Sequence, residues 1–105
     1  MEQFEFIYPA TIETKSLSSH ALVGVVSSGN LEVLLEAAEL EGNMMIIVKT
    51  AATGFKPIWE AVLKDFSERH PLSNVKITLH DTGATPAVVS LRLDQVVEEF
   101  EKTRL

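Results

Sequence analysis

Val75, Ile77 and Leu79 alternate with Lys76, Thr78 and His80. A period of two places three apolar side chains on one face of an extended segment and three polar ones on the other, so this stretch is a half-buried strand and not a helix. The same period returns at Leu31, Val33, Leu35 and Ala37, with Glu32 and Glu36 on the opposite face. Ahead of it, "ALVGVV" (Ala21–Val26) is a β-branched run of strand length. Ser28-Gly29-Asn30 joins the two, and Gly and Asn accept the positive φ of a tight hairpin turn. "ELEGN", residues 39–43, is a second turn and "MMIIVKT", residues 44–50, the next strand. Residues 2–8 alternate loosely enough for a further short strand, and Pro9 to Ser19 reads as a polar loop.

The remaining segments change period. Pro57 suits the first turn of a helix, where its missing N–H leaves no bond unmade. Ile58, Trp59, Val62, Leu63 and Phe66 follow at helical spacing, with Lys56, Glu60, Lys64 and Asp65 on the other side, and Pro71 closes the segment. Thr85-Pro86 has the form of an N-cap followed by Pro, and Val89, Leu93, Val96 and Phe100 mark a second amphipathic helix. The order is β-β-β-α-β-α with an extra strand possible at the start. Consecutive hairpins predict a small α+β two-layer sandwich: an antiparallel or mixed sheet of four to five strands with two helices on one face. At 105 residues the chain is expected to form a single domain, residues 1–105.

Composition narrows the function classes. There is no cysteine, which excludes thiolate catalysis and cysteine-based metal sites. The net charge of −6 argues against nucleic acid, whose phosphates such a surface repels. No basic segment followed by an apolar core opens the chain, and no apolar run approaches the ~18 residues of a membrane span. No membrane partner and a cytoplasmic location are therefore expected.

The candidate chemistry is sparse. His20, His70 and His80 lack metal-ligand spacing, and no metal site is expected. His80-Asp81 could pair a base with its orienter, but a strand end with a turn-forming Asp is the simpler account. "DTGATP", residues 81–86, lacks the spacing and the lysine of a phosphate loop and reads as a tight strand-to-helix connection with Gly83 in an unusual conformation. Met44-Met45 and Trp59 read as core. No catalytic residues are assigned. Ser27-Ser28 stands at the hairpin tip, where serine is an ordinary turn residue and also a hydroxyl open to modification.

Taken together, "ALVGVVSSGNLEVLLE" and "LHDTGATPAVVSLRLDQVVEEF" resemble the delta subunit of malonate decarboxylase, an acyl carrier protein, with the citrate lyase gamma subunit as a more distant relative. The matching positions are Ser28-Gly29-Asn30, Asp81-Thr82-Gly83-Ala84 and Arg92-Leu93, within residues 21–100. The resemblance implies a non-catalytic carrier whose Ser28 is joined by phosphodiester to 2'-(5''-phosphoribosyl)-3'-dephospho-CoA. The thiol of that arm would carry acetyl and malonyl groups between acyltransferase and decarboxylase subunits, after a prosthetic-group attachment enzyme had installed it. The family usually has Asp where Asn30 stands, and Asn keeps the turn while losing the charge. The alternative is a non-covalent regulatory or scaffolding α+β module that binds a small ligand or a partner protein.

Overall fold

The computed structural model describes residues 1–10, 23–27 and 29–102. Most of the expected Pro9–Ser19 loop, His20 and the first residues of the "ALVGVV" strand lie outside the described residues. The elements are β1 (Glu2–Pro9), β2 (Val23–Ser27), β3 (Leu31–Ala37), β4 (Asn43–Thr50), α1 (Lys56–Arg69), β5 (Val75–Asp81) and α2 (Pro86–Lys102). They build one five-stranded mixed sheet in the order β1-β4-β5-β3-β2. The expected α+β class and the extra first strand are both present.

β5 sits at the centre, antiparallel to β3 and parallel to β4. The parallel pair needs a crossover, and α1 provides it. β2 and β3 form the expected hairpin. The second expected hairpin does not form. The turn at residues 40–43 closes as anticipated, with Asn43 N donating to the Leu40 carbonyl at 3.0 Å and with Glu41 and Gly42 at φ 56° and 85°. Its two strands, however, flank β5 and do not pair with each other. Asn74, itself at φ 57°, ties this connection to the start of β5: its Oδ1 accepts from the amides of Leu40 (3.0 Å) and Gly42 (2.9 Å).

Alternation along the strands and register across them put the buried apolar set on one face, while Ile7, Leu34, Met45 and Ile47 fall on the other, so that of the Met44-Met45 pair expected in the core only Met44 is fully buried. Val33 pairs with Leu79, which pairs with Val48, which pairs with Phe4. The helices cover this face. Leu63 and Phe66 of α1 and Leu93, Val96 and Phe100 of α2 are fully buried against it. At the far end of the helix pair, Arg69 bridges Asp65 and Asp94 (2.8 and 2.6 Å), and His70 Nε2 lies 3.1 Å from Asp94. These groups are largely exposed, so the hydrocarbon contacts and not the ion pairs hold the helices in place. Ile58 departs from its expected place: it lies on the helical stripe yet is 43% exposed.

Candidate functional site

β5 ends in a carboxylate that belongs, by alternation, to the buried face. Asp81 follows Val75, Ile77 and Leu79 in phase, and at 5% exposure it is buried with them. A buried carboxylate must be hydrogen-bonded, and three donors converge on this one. Thr50, its register partner on β4, donates its hydroxyl to Oδ2 at 2.8 Å. The amides of Gly83 and Ala84 donate to Oδ1 at 3.2 and 2.8 Å. The side chain thus bends the chain into an Asx-type turn, and Gly83 takes φ 126°, a conformation side chains rarely adopt. Thr85 then accepts a hydrogen bond from Val88 N at 3.3 Å, and α2 begins at Pro86, as the Thr-Pro pair predicts.

His80 points the other way. It is exposed on the open face of the sheet while Asp81 is buried in the helix-covered one. The same alternation that makes β5 a strand separates them, so the two do not form a base and its orienter.

The turn also grips the hairpin. Thr82 donates its amide to the Asn30 carbonyl at 2.9 Å, with its hydroxyl 3.3 Å from the same oxygen. Residues 52 apart in the chain are thereby joined, and the "SGN" and "DTGA" stretches become one surface. Ser28 lies outside the described residues. Its neighbours are placed: Ser27 pairs with Glu32 across the hairpin, and Gly29 and Asn30 are exposed. Among the described residues, a Cβ built on Gly29 would meet nothing within 4 Å, which leaves space beside this position. Arg92, on the flank of α2, donates Nη1 to Gln95 at 2.8 Å, and its Nε is buried with no hydrogen-bond partner among the described residues.

Beside the turn lies a groove of about 170 Å³. Phe55, Ile58 and Trp59 line it from the start of α1, and Ala84, Pro86 and Val89 from the start of α2. Asp81 borders it as its charged member. The sequence reading placed Trp59 in the core, and it is buried (6% exposed) but also borders this opening. The signal was present in the apolar run of α1: Ile58, Trp59 and Val62 widen the stripe beyond what Leu63 and Phe66 need to cover the sheet.

A family model described as the malonate decarboxylase delta subunit (MdcD) matches residues 18–100. The chain is 55% identical over 101 residues to a malonate decarboxylase acyl carrier protein of Xanthomonas euvesicatoria pv. vesicatoria (strain 85-10), covering 96% of each. It is 54% identical over 99 residues to the protein of the same description from Burkholderia cepacia, covering 94% of this chain and 90% of that one. Its structure superposes on a chain from the crystal structure of a Pseudomonas malonate decarboxylase hetero-tetramer in complex with malonate. There the TM-score is 0.76 at 33% identity, over 95% of this chain and 99% of the other.

Proposed function

The chain belongs to the malonate decarboxylase delta subunit family, and from that premise we propose that it serves such a complex as a non-catalytic, cytoplasmic acyl carrier with its prosthetic arm on Ser28. The arm is the 2'-(5''-phosphoribosyl)-3'-dephospho-CoA group, linked by phosphodiester to the serine hydroxyl. When bound, its thiol supplies the thioester through which partner subunits exchange acetyl for malonyl and release carbon dioxide.

The observation that carries this reading is the grip between Thr82 and Asn30. A carrier needs a firm root for a mobile arm. Asn30 is two residues from Ser28, and its carbonyl is held by a turn that is itself clamped through Asp81 to β4. The sheet therefore holds the chain next to Ser28, and among the described residues there is space beside Gly29 for the attachment enzyme. Asn30 acts here through its backbone carbonyl, so the loss of the usual Asp side chain leaves this grip unchanged. Ser27 is a ladder residue paired with Glu32. Ser28 directly precedes Gly29, as in the family pattern.

The test is fragment mass spectrometry of the peptide spanning Ala21 to Lys49, after labelling by the attachment enzyme. Wild type and Ser27→Ala should carry the arm on Ser28. Ser28→Ala should carry none, and a complex reconstituted with it should be inactive while the protein stays folded. An arm on Ser27, or full labelling of Ser28→Ala, would overturn the assignment. Unmodified protein from a native host with active malonate decarboxylation would favour a non-covalent module instead.

A further inference from the structure

We propose that the groove between the starts of α1 and α2 seats the adenine base of the arm, an inference that rests on the attachment to Ser28 proposed above. The arm's own connectivity points to the base. The 5''-phosphate is esterified to the serine, and the second ribose is joined at the adenosine 2'-position. Adenine is therefore separated from Ser28 Cα by about a dozen covalent bonds of roughly 1.5 Å each. The groove is within that reach. From Ser28 the chain takes two Cα steps of about 3.8 Å to Asn30. Asn30 is hydrogen-bonded to Thr82, and the next two residues, Gly83 and Ala84, line the groove.

Size and lining select the same part of the arm. At about 170 Å³ the groove is smaller than the roughly 300–1,000 Å³ of pockets that take whole drug-sized ligands. It accommodates one flat ring system and not the full arm. Phe55 is an aromatic surface against which a base can stack, and the edge of Trp59 borders the opening. Among the described residues no Lys or Arg lines it, which disfavours the diphosphate, and those residues offer few partners for the two amides of pantetheine. Asp81 retains acceptor capacity beyond its three donors, enough for the exocyclic amine of adenine. With the base seated, only the diphosphate and pantetheine would swing, and a shorter free arm loses less entropy at each partner site.

Trp59 is the chain's single tryptophan and reports on the groove directly. Apo protein, arm-loaded protein with a free thiol and its acetylated form would be compared after intact mass confirms loading at Ser28. The expected result is loss of Trp59 emission on loading, with amide shifts at Phe55, Trp59 and Ala84 that are the same for thiol and acetyl forms. Ala84→Leu, which fills the groove, should still be labelled on Ser28 but should lose the emission change. Ile58→Ser, at an exposed position, should weaken it and serves if Ala84→Leu does not fold. Loaded protein with unchanged emission and shifts confined to residues 29–32 and 82 would overturn the groove assignment alone. Shifts that appear only on acetylation would overturn it in favour of the thioester end. Absence of an arm on Ser28 would overturn both this inference and the function it rests on.

Discussion

Asp81 carries a carboxylate where the rest of its strand face is hydrocarbon. It is stable there because Thr50 and two turn amides supply the hydrogen bonds that water would otherwise give. Hydrogen bonds to charged groups contribute about 1.5–3 kcal/mol each, and their losses overlap when one acceptor serves several donors. Asp81→Ala is therefore expected to lower unfolding stability by about 3 kcal/mol, with Asp81→Asn losing less because its amide oxygen still accepts. Urea midpoints measure both. Amide exchange at Thr82 should also rise in Asp81→Ala, because the turn that aims this N–H at Asn30 has lost its clamp. Unchanged exchange would mean that the hairpin tip is held independently of Asp81.

Among the elements, β5 organises the sheet by lying between strands that the chain order would have paired. The β3–β4 connection must then run past the start of β5, and Asn74 is the residue that holds it there. Two of its properties contribute: a side-chain oxygen that accepts from Leu40 and Gly42, and tolerance of φ 57°. Asn74→Ala loses both and is expected to cost about 2–3 kcal/mol. Asn74→Gly restores the conformational freedom and loses only the hydrogen bonds, so it should cost less. Equal losses in the two variants, measured by denaturant unfolding, would show that the left-handed conformation contributes nothing. The helices depend on a different term. Phe66 is fully buried, and Phe66→Ala is the kind of core truncation that costs about 3–5 kcal/mol, far more than the exposed Arg69 pairs can return.

At the scale of the whole molecule, the acidic surface and the carrier role meet at the docking step. A net charge of −6 accelerates encounter with basic partner faces through fields that decay over about 8 Å at physiological ionic strength. Association rates with partner subunits should therefore fall as salt rises, while dissociation rates change little. Rates that stay flat from low to high salt would indicate apolar docking, for which exposed Phe55 and Ile58 beside the groove are the surfaces to vary. Among the described residues, no helix is long and apolar enough to cross a membrane.

Periodicity alone determined which residues form strands and helices here, because burial on one face is a local property of spacing. The strand at residues 75–81 was legible for that reason, and the N-cap at Thr85 from the capping chemistry of its Thr-Pro pair. The outward sense of His80 was legible too, from the same period of two. Pairing was not. Whether β4 lies beside β3 or across β5 depends on a crossover through α1 whose contacts join distant residues, and neither turn sequence encodes it. The site was divided in the same way. Ser28 and the "DTGA" turn were visible as separate stretches, with family resemblance linking them by role. That Thr82 grips Asn30, and that Trp59 borders a groove beside them, was decided only when β5 took the centre of the sheet and brought both helix starts to the hairpin's end.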